Sequence, residues 1–347
     1  MPSSIGAAGI AARAPQIDQQ QQIGQPPCQP PSEASTPSAN PSESLFMQGV
    51  WLIYGVACST LHFIVACVID CASWVADWTR YRIARFVVTS IGRTAPEIAA
   101  SENEDVLRDC KLYQLHFERC TQRTQRDEVE LAGFTLTHYR NKTNWIVLFP
   151  SHDKLWQDEL QQLIALAYET KTNVCCFNYR GAGGSSGELH SEIEAIRDGR
   201  EIVEGLITKT KIAAKNIMVA GREFGGQVAA LTCGALHTIG KKVHLMCEDT
   251  APSFTQWTQR ANWYGRISAA LFSYFGWQLN IQPAIRQMVG DAKVLLLTRQ
   301  TTATQGEIAQ LKQLRPTGII HQHREDNDDR QAAWVKTVNN IKEIFQN

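Results

Sequence analysis

The sequence lacks net charge: 34 Lys and Arg balance 34 Asp and Glu over 347 residues. Binding duplex nucleic acid through its phosphates requires a basic surplus, and a disordered charged tail requires imbalance with few apolar residues, so both classes are excluded. No nucleic-acid partner is expected. The ten cysteines form no C-x-x-C, and Cys67 and Cys71 have no His or Cys pair at finger spacing. A disulfide framework and a zinc site are therefore not expected, and no cofactor or metal is called for. The adjacent Cys175 and Cys176 fall in a predicted strand, whose period of two sends them to opposite faces. A reducing compartment is the simplest reading of the C-terminal part.

Proline is nearly missing from most of the chain. Eight of the 13 prolines lie in residues 1–44, with the run Gln19 to Gln22 and only four charged residues. Such a segment buries too little apolar surface to offset its ordering entropy, so 1–44 is expected to be disordered. Charge is missing from the next segment. Between Glu43 and Asp70 lie 26 residues without Asp, Glu, Lys or Arg, and 19 of the 25 from Leu45 to Ile69 are apolar.

Twenty helical residues at about 1.5 Å each cross a hydrocarbon core of about 30 Å, so residues 45–95 are expected to form an apolar, membrane-associating helical anchor. Trp51 and Tyr54 at one end, and Trp74, Trp78 and Tyr81 beyond the other, have the character of interfacial aromatics. Arg80, Arg82, Arg85 and Arg93 follow, which by the positive-inside rule keeps the C-terminal domain cytoplasmic. A buried helix packed on that domain and a shallow hairpin are the alternatives to a span. A cleaved signal peptide does not fit, because no Lys/Arg cluster precedes the apolar run. Cys67 and Cys71 beside a membrane are candidates for palmitoylation.

From about residue 110 to 347, short β-rich runs alternate with helical ones. Strands are expected at Leu112–Phe117, Val129–Tyr139, Trp145–Phe149, Val174–Asn178, Ile217–Ala220, Lys242–Cys247, Val294–Thr298 and Gly318–His321. Helices are expected near Leu155–Glu169, Ser191–Ile207, Gly226–His237 and Ala332–Phe345. This pattern predicts an α/β fold: a mostly parallel eight-stranded sheet with helices on both faces. The loop after the third strand is Phe149-Pro150-Ser151-His152-Asp153, and a glycine-dense loop follows the fourth. The fifth strand enters its helix through Gly221-Arg222-Glu223-Phe224-Gly225. Glycines two before and two after a central residue are what a strained strand-to-helix turn requires, and here that residue is a glutamate.

The stretch N-Y-R-G-A-G-G-S-S-G at 178–187, D-G at 198–199 and N-I-M-V-A-G-R-E-F-G-G-Q-V-A-A at 216–230 resemble the α/β-hydrolase superfamily. Within it, the chain is similar to the lipase-like branch of chlamydial CHLPS proteins and SidB-type Legionella effectors, with the elbow serine replaced by Glu223. Asp249 to Phe254 and Gly276-Trp277 carry the same likeness. It implies an α/β-hydrolase fold over roughly 110–345, with a lid-like insertion at 253–288. The aromatics of that insertion suit an apolar ligand, or packing over the core.

The family's chemistry needs a nucleophile, a base, an acid and an oxyanion hole. The resemblance places Glu223 at the nucleophile position and His321, just past the last strand, at the base, with His323 as its neighbour. No acid follows the seventh strand, and Asp249 is the candidate to substitute for it, the alternative being a solvated turn residue or a cap. Ser151, His152 and Phe224 are expected to line the oxyanion and substrate pocket. Arg222 either pairs with Glu223 or faces solvent, and Arg180 is expected to tether carbonyls. The expected protein is a membrane-associated pseudoenzyme or binding/effector module, sited at a host-cell membrane if translocated. Its partners would be membrane lipids through residues 45–90, an apolar or ester ligand, or a protein. The alternative is an active hydrolase of an ester, lipid or alkyl substrate using Glu223 as a carboxylate nucleophile.

Overall fold

A computed structural model of the chain describes residues 68–83, 85, 93, 100–139, 143–253, 277–288, 292–299, 319–324 and 330–346, with residues 65, 270, 273 and 274; for 100–103, 299, 321, 323, 324 and 330–333 it describes the backbone alone. The 1–44 segment, almost all of 45–67 and most of 254–276 lie outside them. Among the described residues no helix is long and apolar enough to cross a membrane. The chain divides into two units, and the second, which holds nearly all the described residues, begins at Val68. Its first helix, α1, covers residues 68–83.

Helix α2 (Ala100–Leu112) leads into an antiparallel pair, β1 (Leu115–Arg123) and β2 (Glu130–His138). Next come β3 (Trp145–Phe149), α3 (Trp156–Thr170), β4 (Asn173–Phe177), α4 (Glu192–Thr210), β5 (Ile217–Arg222), α5 (Phe224–Thr238) and β6 (His244–Glu248). The short α6 (Ile281–Gln287), β7 (Val294–Arg299), β8 (Ile319–Arg324) and α7 (Arg330–Gln346) complete the chain. The eight strands form one sheet in the order β1-β2-β4-β3-β5-β6-β7-β8. Only β2 runs against the others.

The central strands are apolar at nearly every position because both faces of the sheet are covered. Val147, Val219, Leu245 and Leu296 enter one core with Val203 of α4 and Val228 of α5. Their neighbours Ile146, Met218, Met246 and Leu295 enter the other with Ile164 of α3 and Ile341 of α7. Cys175 and Cys176 divide between these cores, and the described cysteines are all free. The helix ends follow local chemistry. Glu194 accepts the N–H of Ser191 before α4 (3.3 Å), and α3 and α4 end at Lys171 and Lys211 in the left-handed conformation.

Where the expected boundaries differ, the cause is solvent exposure. The segment expected as a strand at Leu112–Phe117 is instead the end of α2 followed by β1, which runs on to Arg123. That strand is at the sheet edge, and its sequence LHFERCTQR is mostly polar, so its period-two signal is weak. At the described end of the lid-like region, Trp277, Leu279, Ile281 and Ile285 are fully buried in the core beside α5.

Candidate functional site

The site is built on the turn between β5 and α5. Glu223 sits there with φ 52° and ψ −115°, a conformation that costs a non-glycine residue on the order of 1–3 kcal/mol. The surroundings hold it. Its N–H donates to the Glu248 carbonyl (2.8 Å), its carbonyl accepts from Gln227 N–H (3.2 Å), and the Gln227 side chain donates to the Ala251 carbonyl (3.0 Å). Glycine is required on both sides of it. A Cβ on Gly221 would collide with the carbonyl of Gly225, and one on Gly225 would collide with the carbonyls of Phe149 and Pro150. The glutamate is thus presented at the head of α5, where the helix dipole favours an anion.

The loop after β3 meets it. Tyr179 donates from its hydroxyl to the Pro150 carbonyl (2.9 Å), and Arg93 donates to the Asp153 carbonyl (2.7 Å) while pairing with Asp158 (3.1 Å). Between those anchors Ser151, which is buried, donates to Glu223 Oε2 at 2.5 Å. His152 Nδ1 stands 3.3 Å from the same oxygen and 3.4 Å from the Ser151 hydroxyl. The hydrogen bond to His152, supported by Ser151 and by the charges of His152 and Arg222, holds the Glu223 carboxyl down to about 2 against the opposing effect of burial. His152 is raised in turn, chiefly by that hydrogen bond. The carboxylate is ionised and its side chain is 41% exposed.

Three of the six candidate residues, Glu223, Ser151 and His152, therefore converge. Phe224 follows as the first residue of α5, so its N–H has no acceptor within the helix. Its ring is buried between Tyr179 (5.4 Å) and Trp277 (6.2 Å), which fixes the inner wall. Asp249 also takes a positive φ, 50°, and its N–H donates to the Leu297 carbonyl (2.8 Å). His321 does not follow the last strand as expected, because β8 continues to Arg324. The β7–β8 register pairs Leu296 with His321 and Thr298 with His323. The backbone of His323 is thus level with Asp249 and the turn, and His321 lies two residues, roughly 6.6 Å, further down the strand.

The neighbouring charges were not apparent in the sequence. Arg222, with its side chain 36% exposed, bonds Glu248 (3.0 Å) and reaches Glu159 (3.8 Å), so the ion pairs it forms are with these carboxylates and not with Glu223. Burial pushes the Glu159 carboxyl up, with Arg222 opposing. Arg180 is held by carboxylates, not carbonyls: two bonds to Asp198 (2.7 and 2.6 Å) and one to Asp127 (3.0 Å). The only sequence signal for this was the D-G at 198–199. Among the described residues, His152, Asp153 and Glu223 bring three potential metal-ligand atoms within 4.8 Å of one another. Of these, His152 and Glu223 are bonded to each other, and Asp153 follows His152 in the chain.

No protein-family model and no curated protein sequence matches the chain. Solved structures do match it. An α/β hydrolase from Vibrio vulnificus is similar with a TM-score of 0.60 at 16% identity, over 78% of this chain and 93% of that one. Esterase LipW from Mycobacterium marinum gives 0.53 at 13% identity, over 76% and 96%. The Pyrococcus furiosus esterase Pf2001 gives 0.50 at 14% identity, over 68% and 93%. This chain has the α/β-hydrolase fold. Within that fold Glu223 stands at the β5–α5 turn, its carboxylate bonded to Ser151 and His152 of the loop after β3.

Proposed function

We propose that this is a membrane-associated α/β-hydrolase-fold protein that has lost serine acyl transfer and acts as a binding or effector module, its C-terminal domain facing the cytosol. The observation that supports this reading is the ionised Glu223 at the elbow, bonded to both Ser151 and His152. Acyl transfer from an ester needs a nucleophile that is a poorer leaving group than the one it expels. A carboxylate attacking an ester forms a mixed anhydride and expels an alkoxide, and the tetrahedral adduct returns to ester faster than it goes forward. Glu223 also lies where a substrate oxyanion would be received, accepting the hydrogen bond that Ser151 would otherwise offer. The effector role and a protein partner rest on the motif resemblance at 178–187 and 216–230, and the lipid partner on the apolar run and its aromatic and arginine flank at 45–90.

One observation favours a second reading. Because Glu223 stays charged and is part-exposed, its carboxylate is competent to attack an epoxide carbon; the ring C–O bond breaks, the freed oxygen takes a proton from water, and water then hydrolyses the alkyl–enzyme ester to the diol and the free carboxylate. That route needs a base, for which His323 has the better register and His321 the poorer. Full-length protein assayed on p-nitrophenyl esters and on a styrene-type epoxide separates the readings. The proposal expects no turnover by wild type or Glu223→Gln, and esterase activity only in Glu223→Ser. Wild-type turnover that disappears in Glu223→Gln refutes it in favour of the nucleophile.

A further inference from the structure

Helix α1 covers its own domain with very little of its surface. Ile83 is buried in the core, Tyr81 packs beside it with its ring 6.4 Å from that of His190, and Ala76 and Thr79 are half-buried. Residues 68–75 are exposed on every side. The apolar residues there are large: Val68 is 62% exposed, Ile69 60%, Trp74 68%, Val75 52% and Trp78 50%. Two turns of helix so exposed gain little from packing, and an isolated helix of this length is marginal in water.

The exposed positions are ordered by chemistry. At 100° per residue Cys71, Trp74, Trp78, Arg82 and Arg85 fall on one stripe, with Val68 and Val75 along one border. Arg82 lies over the Trp78 ring at 5.1 Å and Arg85 over Tyr81 at 5.9 Å. The acids are elsewhere. Asp70 and Asp77 lie about a quarter-turn away, and Asp77 is paired with Arg80 at 3.2 Å. The stripe therefore presents indole rings and guanidinium groups with no carboxylate among them. Indole at a water–hydrocarbon boundary with arginine beside it is the composition of a helix lying in a headgroup layer, where acidic lipids attract the cations. The uncharged run 44–69 enters the helix directly at its N-terminal end. A partner protein would have to supply carboxylates over an aromatic strip, whereas an anionic bilayer supplies both phases at once.

We infer that the Cys71–Arg85 stripe of α1 is a docking surface for an anionic lipid bilayer, on which the helix lies in the plane of the interface. This deepens the membrane part of the function proposed above and rests on it. The test is co-sedimentation of full-length protein with vesicles of phosphatidylcholine alone or doped with phosphatidylserine. Wild type is expected to bind the doped vesicles more tightly, with salt weakening the difference. Trp74→Ser/Trp78→Ser is expected to lose about tenfold in affinity for both, and Arg82→Glu/Arg85→Glu to lose the preference for phosphatidylserine. Because these side chains are exposed, unchanged thermal unfolding of each variant serves as the folding control.

Three results overturn the inference, and each is recognisable. Vesicle binding unaffected by both variants moves the lipid contact to 44–69 and leaves membrane association standing. No binding of wild type to either vesicle removes membrane association as well. A wild-type dimer that Trp74→Ser/Trp78→Ser converts to monomer, with no vesicle binding, makes the stripe a contact between copies of this chain. None of these outcomes bears on Glu223, whose chemistry the ester and epoxide assays test separately.

Discussion

At Glu223 one side chain carries both strain and compensation. The left-handed backbone costs energy, and the bonds from Ser151 and His152 return part of it only while the carboxylate is charged. Its folded-state pKa, about 2, is below the unfolded value, so its contribution is complete above roughly pH 4.5 and is lost as pH falls towards 2. His152 shifts the other way. Its raised pKa means that its contribution is complete below about pH 6.5 and is lost as pH rises through the folded-state value. The pair is therefore strongest between about pH 4.5 and 6.5. A fully buried group shifted this far would contribute about 3 kcal/mol, but Glu223 is 41% exposed, and screening reduces it to about 1 kcal/mol. Urea unfolding of wild type and Glu223→Gln across pH 2–9 should show a stability difference that peaks in that window and narrows on both sides. A difference independent of pH would mean that the ionised pair does not exist.

The elbow as an element is set by its glycines more than by its central residue. Gly225 packs its α-carbon against the carbonyls of Phe149 and Pro150, so Gly225→Ala pushes α5 away from β3 at a cost of about 1–3 kcal/mol, the range for overpacking. Chemical denaturation should show that loss, together with a weakened Ser151–Glu223 contact, because the displaced loop carries Ser151. An alanine variant as stable as wild type would contradict the close approach. The same elements show what a linear reading can recover. Runs buried on both faces, such as Trp145–Phe149 and Val294–Leu297, announce themselves by continuous hydrophobicity, and the elbow by glycines four residues apart. Partners distant in sequence do not. Ser151 lies 72 residues from Glu223, and nothing local links Arg222 to Glu159 or Arg180 to Asp127. The preference for His321 over His323 depended on where the last strand stops, and its end is polar, so the pattern gave no stop signal.

Across the molecule, the two cores on either side of the sheet leave the loops at its carboxyl edge to be held by polar contacts, and Arg180 is the main tie. Its side chain is 4% exposed, and it joins the loop after β4 to Asp198 on α4 (7% exposed) and to Asp127 in the β1–β2 turn. Burial pushes the Asp198 carboxyl up and Arg180 opposes it, so much of the pair's attraction is spent on desolvation. A pair of this kind adds little over an apolar substitute, yet removing one partner strands a buried charge. Asp198→Asn should therefore destabilise by about 3 kcal/mol, less whatever Asp127 recovers by staying on Arg180. Replacing both partners, Arg180→Met with Asp198→Leu, removes the stranded charge and leaves Asp127 its weaker contact with Arg197 at 3.4 Å. The double variant should be more stable than Asp198→Asn, recovering most of the loss. If instead the losses of the single variants add, the Arg180–Asp198 bonds are net stabilising by their own strength, and the carboxyl edge of the sheet depends on electrostatics more than on the packing beneath it.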